Sequence, residues 1–290
     1  MRIALVNFGH VDVTLPFVKI LSSKKGIKLN LFLVFAQNNK RESVINFEGK
    51  DVSDGLLNEE ISRRLVGERI SKYVGKRICL RIFIYSNLKL RSIRNIKLSR
   101  SFSKVLRTHD VVHFNGMGST LLHLMLFLLK RKKIYTIHDY RSHSGERTKF
   151  NFVKHLNNIL LKSKWPVIFQ NKYDYELVKG SNPRLYDKIK YIPFGVLDIY
   201  KEFLKQNSNE LKWDILFFGR ISPYKGIEYL IDAVDSLIKE FPTISVCLAG
   251  SGRYYFAINK RKCSENLTVI NRYIPNEELA QLISSSRLVV

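Results

Sequence analysis

The stretch Trp213–Gly226, WDILFFGRISPYKG, with its echo Ser245–Gly252, SVCLAGSG, decides how the chain is read. Asp214–Phe218 is an apolar run of strand length. Gly219 and Arg220 fall in the turn after it, and Pro223-Tyr224-Lys225-Gly226 leads into a helical pattern over Ile227–Lys239. This order sets cations just beyond the carboxyl end of a strand, beside the positive end of a helix. Chemistry that handles a diphosphate needs that arrangement. The second run, Ser245–Ala249, ends in Gly250-Ser251-Gly252, where glycines let backbone come close to a ligand or to other backbone.

The alternation continues on both sides. Downstream come a helix near Tyr254–Lys262, a strand Leu267–Ile270, a helix Glu277–Ser285 and a strand Leu288–Val290. Upstream, Phe194–Leu211 interrupts it with Gly195 and the polar run Lys205–Glu210, so a linker is expected over 196–211. Before it, strands are expected at Arg2–Phe8, Leu29–Phe35, Ile78–Tyr85, Asp110–Phe114, Ile134–Ile137, Pro166–Gln170 and Ile189–Pro193. Helices are expected at Val13–Leu21, Leu121–Leu129 (closed by Lys130–Lys133), Phe150–Leu161 and Lys172–Lys179. Gln37–Leu57 reads as a polar loop. Strands alternating with helices predict α/β architecture on parallel sheets, in a domain 1–195 and a domain 212–290 that ends on an apolar strand and reads as incomplete.

The 290 residues carry a net charge of +24, which points to an anionic partner: nucleic acid, an acidic membrane surface or phosphorylated substrates. Hydrophobic content of 45% is enough for real cores and excludes a disordered chain. Cys79, Cys247 and Cys263 are scattered, without a histidine at ligand spacing, and read as reduced core thiols of a cytoplasmic protein. The N-terminus lacks the longer apolar core of a signal peptide. The most apolar run, Leu121–Leu129, is far shorter than the roughly 20 residues a membrane span needs.

Charge collects over Ile61–Arg107, where fourteen Lys and Arg face the single acid Glu68. Arg91, Arg94, Lys97, Arg100, Lys104 and Arg107 recur every three or four residues, one side of a helix whose other side, Leu98, Phe102, Val105 and Leu106, can face a core. Such a stripe is ordinarily a solvated face. Almost no acid compensates this one, and a polybasic face gains about 1 kcal/mol per cation close to an anionic leaflet. Docking at the inner face of the plasma membrane, as a peripheral protein, is the expectation.

GRISPYKGIEYLIDAV, AGSG and NLTVINRYIPNEELAQLISSSRLVV together resemble the C-terminal domain of glycosyltransferase family 4. Gly9-His10 after the first strand, YTIHDYRSHSGE and YIPFGV at the hinge fit the same family. The resemblance implies a GT-B fold, two Rossmann-like domains facing a cleft, and transfer of a sugar from a nucleotide-diphosphate donor, retaining and metal-independent. The acceptor would be a glycan or lipid-linked molecule in cell-surface polysaccharide synthesis. It implies that Arg220 and Lys225 hold the donor diphosphate, with Gly9, Gly250 and Gly252 letting backbone approach the nucleotide and Ile274 near the base, although the family commonly has a glycine near Arg272. His138, ending a strand, would lie near the transferred sugar as the catalytic residue. His10, Asp139 and Glu146 are candidates for the acceptor. No cofactor is expected: no Asp-x-Asp triplet and no His/Cys/carboxylate cluster at metal spacing occurs, so protein cations replace the metal. Family members continue past the last strand into a segment with a paired glutamate motif, which makes this chain read as C-terminally truncated.

Two other classes fit the sequence less well. One is an inactive GT-B remnant that binds nucleotide weakly. The other is a basic nucleic-acid-binding α/β protein, against which the aromatics fall in core patterns and do not interleave with the basic run.

Overall fold

A computed structural model describes residues 1–86, 92–116, 131–140, 152–204, 210–222, 225–252 and 262–290, leaving aside the side chains of 152–156. The described residues up to 199 form one compact unit and Tyr200–Val290 belongs to a second.

In the first unit, strand β1 (Arg2–Phe8) runs into helix α1 (Val11–Ser23) and strand β2 (Lys28–Ala36). A hairpin follows, β3 (Arg41–Glu42) against β4 (Ile45–Asn46), and then β5 (Gly55–Leu56). Helices α2 (Glu59–Val66) and α3 (Glu68–Val74) precede β6 (Cys79–Tyr85), α4 (Ile93–Leu106) and β7 (Val111–Gly116). After β8 (Lys132–Ile137) come α5 (Phe152–Lys162), β9 (Val167–Phe169), α6 (Lys172–Ser181) and β10 (Ile189–Tyr191). The strands make one sheet in the order β10-β9-β8-β7-β1-β2-β6-β5, parallel except for β5 on β6. Buried on both faces, β1, β2 and β6 read as near-continuous apolar runs for that reason. The winding reverses between β1 and β7, and the carboxyl ends of these two strands flank the crevice where such sheets bind ligands.

One layer of the core is aromatic. Phe83 and Phe102 stack at 4.5 Å, and Phe114 stacks on Tyr135 at 5.0 Å. Phe102 and Leu106 of α4 are buried with Leu98 and Val105 packed beside them, while Arg94, Lys97, Arg100, Lys104 and Arg107 are exposed. Arg94 is tied to the nearly buried Asp54 at 2.6 Å. Arg63 belongs to no exposed face: it clamps Glu59 and the carbonyls of Gly75 and Ile78. Arg91 and the expected helix Leu121–Leu129 lie outside the described residues.

Two expectations are corrected. Gln37–Leu57 is not simply a loop: it carries the hairpin and an edge strand, with Val44, Ile45, Phe47 and Val52 buried and Phe47 edge-on to Phe35. Its ladders are only two residues long and leave no alternation to read. Lys132 and Lys133 open β8, two residues ahead of the strand expected at Ile134. Lys133 is buried with its ammonium 4.0 Å over the Trp165 ring, and burial lowers its pKa to about 8.

In the second unit, strand β11 (Trp213–Phe218), helix α7 (Ile227–Leu237), β12 (Val246–Gly250), β13 (Leu267–Asn271), helix α8 (Asn276–Ser284) and β14 (Ser286–Val289) build a parallel sheet in the order β13-β12-β11-β14. Each face has its own core. Ile215, Phe217, Val246 and Leu248 pack under Ile227, Ile231 and Val234 of α7, whereas Leu216, Cys247 and Ala249 pack with Ile274 and Leu282. Leu288 and Val289 on the edge strand β14 are exposed. A 3-10 segment, Asp198–Phe203, spans the boundary between the units, and the expected helix near Tyr254–Lys262 falls almost wholly outside the described residues.

Candidate functional site

Strand β1 ends on Phe8, and the chain turns into α1 through Gly9 (φ 83°) and His10 (φ 51°, ψ 50°). A left-handed histidine costs on the order of 1 kcal/mol and persists only where its surroundings hold it. Here the His10 carbonyl accepts the backbone N–H and hydroxyl of Thr14, at 3.2 and 3.0 Å. Its ring stacks 4.9 Å from that of His138, on whose ring Phe194 also stacks at 5.7 Å. His138 follows β8 directly and is 8% exposed. The next turn is tied down: Asn157 donates to the carbonyls of Asp139 and Tyr140, and the Tyr140 N–H donates to Asp174.

The network behind His138 determines its tautomer. Asn7 Nδ2 donates to the Gly9 carbonyl at 2.8 Å, which turns Asn7 Oδ1 towards Asn115, its partner across the β1–β7 register. Asn115 Nδ2 therefore donates to Asn7 Oδ1 (2.8 Å) and Thr14 Oγ1 (2.7 Å), and Asn115 Oδ1 is left facing His138 Nε2 at 3.1 Å. A carbonyl oxygen only accepts, so Nε2 carries the proton. Nδ1 is then a bare acceptor, buried and without a hydrogen-bond partner among the described residues. Burial lowers the His138 pKa to about 3, with His10 and His113 acting in the same direction, so the ring is neutral at neutral pH. His113, fully buried and bonded to Thr136 at 2.7 Å, has its pKa lowered to about 4 by burial. A cavity of about 140 Å³ opens beside the network between α1 and residues 192–195, with Thr14, Asn115, His113 and Gln170 among its walls.

Glu42, on the hairpin, closes the other side of the turn. Its Oε1 lies 3.4 Å from where a Cβ on Gly9 would stand. Burial raises its pKa, His10 lowers it, and Asp12 raises it again.

In the second unit the carboxyl ends of three strands are joined through backbone. The Gly219 N–H donates to the Ala249 carbonyl and the Ile221 N–H to the Ser251 carbonyl, each at 3.0 Å, and the Gly252 N–H reaches Asn271 Oδ1 at 3.0 Å. A Cβ on Gly250 would lie 1.7 Å from the Gly219 carbonyl oxygen, and one on Gly252 1.9 Å from that of Ile221. These glycines are required first by backbone meeting backbone. Arg220 and Lys225 are exposed, between β11 and the start of α7. That helix begins at Gly226 (φ 70°) with no side-chain cap on its N-terminus. Ser222 Oγ, in the same turn, is buried without a hydrogen-bond partner among the described residues. The Ile274 side chain is 8% exposed, inside the core with Leu216 and Cys247, which leaves its main chain for a ligand. Arg272 pairs with both oxygens of Glu278 at 2.6 and 2.8 Å.

The structure thus brings Gly9, His10 and His138 together in the first unit, with Asp139 next in the chain. It brings Arg220, Lys225, Gly250 and Gly252 together in the second. Glu146 lies outside the described residues. Sequence reasoning missed Asn7, Thr14, Asn115, Glu42 and Phe194. The two asparagines had a signal, as polar interruptions one or two residues before the ends of two apolar strands (LVNFG and HFNG). Glu42 had none. Among the described residues no group of three His, Cys, Asp or Glu could hold a metal ion, and no helix is long and apolar enough to cross a membrane.

Comparisons with known proteins agree with this architecture. The chain has a glycosyltransferase-type α/β fold of the GT-B kind, with two Rossmann-like units. Residues 198–290 match the family described as "Glycosyl transferases group 1". The Anabaena protein Alr3699/HepE, solved with UDP and glucose, superposes with a TM-score of 0.58 at 14% identity, over 99% of this chain and 73% of that one. The UDP-GlcNAc 2-epimerase of Neisseria meningitidis, bound to UDP-GlcNAc, gives 0.54 at 15% identity, over 100% and 76%. An E. coli structure described as trehalose-6-phosphate bound with UDP-2-fluoro glucose gives 0.55 at 13% identity, over 98% and 76%. No curated protein matches the chain.

Proposed function

We propose that the chain belongs to a retaining glycosyltransferase that moves a sugar from a nucleotide-diphosphate donor to a glycan or lipid-linked acceptor. The observation that carries this reading is the turn of Arg220, Ser222 and Lys225 at the uncapped start of α7, within the residues that match the glycosyltransferase family. When the bond between the anomeric carbon and the β-phosphate oxygen breaks, its electron pair goes to the diphosphate. Two cations and a helix N-terminus stabilise that growing charge more than they stabilise the bound donor, without a metal. Arg220 can grip two phosphate oxygens with its planar fork while Lys225 acts as a point charge. Because the three structural relatives were solved with UDP or a UDP-sugar, a uridine donor is the first to try. In the first unit, His138 faces the transferred sugar, and His10 and Asp139 face the acceptor.

The epimerase likeness favours a second reading, rearrangement of a UDP-sugar without an acceptor. A thermal-shift screen against UDP-, GDP- and ADP-sugars, with Arg220→Ala as control, tests the donor site. Stabilisation by a uridine donor that the variant loses supports it; stabilisation by none of them argues for an inactive remnant. Following the sugar of a labelled donor separates transfer from epimerisation.

For the exposed cations of α4 we propose docking on an anionic membrane surface, which would bring a lipid-linked acceptor to the first unit. Flotation with anionic liposomes at low salt, lost at high salt and in a Lys97→Glu/Arg100→Glu/Lys104→Glu variant, is the expected result. No flotation at low salt sinks it.

A further inference from the structure

Each crossover of a parallel sheet returns the chain to the amino ends of the strands, the end opposite the crevice. In the first unit that end is lined with charge. Arg77, Lys28, Arg2, Arg107, Lys132 and Lys164 are all exposed, and each opens or closely precedes one of six adjoining strands, β6, β2, β1, β7, β8 and β9. The register keeps the strand tips level: Arg2 pairs with Lys28, and Val111 pairs with both Ile3 and Lys132. At about 4.8 Å between strands the row is about 24 Å long. Lys24, Lys25, Lys76, Arg131 and Lys162, exposed in the same connections, thicken it.

Helix dipoles do not account for this charge. Helices α1, α3, α4 and α5 end here with about half a negative charge each, whereas these connections carry eleven exposed cations and, among the described residues, one exposed carboxylate, Asp110. Asp110 accepts the Arg2 N–H at 2.7 Å, and that bond, with the cations of Arg2 and Arg131 nearby, holds its carboxyl below the usual range. Where this end needs cations for itself, it buries them. Lys188 donates to the carbonyls of Leu160, Leu161 and Ser163 at the end of α5, and Lys133 lies over the Trp165 ring. Among the described residues no exposed aromatic stands between the cations of the row, so nucleic-acid bases have nothing there to stack on. Tyr186 and the half-buried Trp165, at the β10 and β9 side, suit a bilayer interface, where such rings gather with long cations.

We propose that the first unit docks on an anionic leaflet by this row, with the amino ends of its strands facing the lipid and the crevice between β1 and β7 held about 20 Å above it, the rise of the seven residues of β1. This rests on the membrane reading of α4 and changes its geometry. Lys104 and Arg107, at the carboxyl end of that helix, lie nearest the leaflet, and Lys97 and Arg100 stand further from it. A lipid-linked acceptor then reaches the crevice through its glycan and not through its lipid.

The full chain is bound to vesicles of phosphatidylglycerol and phosphatidylcholine, its lysines are acetylated in the bound and free states, and the modification is read by mass spectrometry. Lys28, Lys132 and Lys164 should be protected on the vesicles, while Lys50, beyond the carboxyl end of β2, keeps its reactivity. Lys28→Gln/Lys132→Gln should weaken vesicle binding at low salt about 20-fold, and Lys97→Gln/Arg100→Gln less than about 5-fold. The labelling uses the wild-type chain, so it decides even if a variant folds poorly. Protection of Lys50 equal to that of the row, or a loss from the α4 pair as large as that from the row, overturns the orientation and leaves the α4 reading standing. No binding of the wild type at low salt overturns both. Single-stranded RNA or inorganic polyphosphate binding the row more tightly than vesicles at equal charge and physiological salt gives the surface to a polyanionic chain and overturns the proposal.

Discussion

In the first unit the buried candidate groups are side chains held by other side chains, His138 by Asn115 and Asn115 by Asn7 and Thr14, with the exposed His10 ring stacked on His138. In the second unit the candidate groups are exposed cations on a turn beside close backbone contacts, with Gly250 and Gly252 pressed against the carbonyls of Gly219 and Ile221. Under the proposed function the two units would meet different parts of the substrates, sugar hydroxyls in the first and the donor diphosphate in the second. A neutral hydroxyl offers only hydrogen bonds, which are worth most where water is absent and direction is fixed. A diphosphate brings its own charge and is gripped from solvent, so the protein need only fix where the cations start.

The largest expected effect tests the backbone side of this contrast. Gly250→Ala sets a Cβ inside the Gly219 carbonyl and strains a φ of 152°, and should cost the second unit on the order of 4 kcal/mol. Urea unfolding followed at Trp213, with Trp165 replaced by phenylalanine, should show the midpoint falling; Trp165 in the converse variant should barely respond. Gly9→Ala, at φ 83° against a carboxylate that can give way, should cost only about 1–2 kcal/mol, read at Trp165.

The second test is acid. His113 and His138 have folded pKa values of about 4 and about 3, below the ordinary 6.5, so the unfolded chain binds more protons. Stability is whole above pH 6.5 and is lost as pH falls through the window towards those values, on the order of 3 kcal/mol for His113 alone. Glu42, raised in the folded state, opposes this below its own pKa without cancelling two histidines. Tyr200–Val290 contains no histidine, and Asp214, lowered by its bonds to Ser245, acts only below the usual carboxylate range. Trp165 emission should therefore report acid unfolding at a higher pH than Trp213; coincident midpoints would break the contrast.

Third, Arg220→Ala should leave both unfolding transitions in place and weaken UDP binding by about 10- to 100-fold, read by calorimetry. The smallest effect separates structural from solvated cations on α4. Arg94→Ala strands the nearly buried Asp54 and should cost about 1 kcal/mol, against a few tenths for Lys97→Ala.

The architecture was largely legible because a parallel sheet covered on both faces demands apolar runs, and β1, β2, β6, β7, β11 and β12 are such runs to within a residue or two. The cation turn was legible too, since Gly-Arg after a strand and Lys-Gly before a helix are local features. What escaped was whatever depends on pairing across distance. The edge hairpin is too short to leave a period, so Glu42 passed for part of a loop. That the Ile274 side chain is core depends on Leu216 and Cys247, which come from strands far away in the chain. Gly250 and Gly252 looked like a ligand loop, and it takes the approach of Gly219 and Ile221 to show that backbone needs them first.

By itself the sequence determined where strands and helices form and which turns carry charge, because propensity, periodicity and capping act over a few residues. Only the tertiary structure decided which nitrogen of His138 holds the proton, and that a carboxylate fills the turn at Gly9. Asn7 and Asn115 are 108 residues apart and meet only when β1 pairs with β7. No local pattern encodes that register.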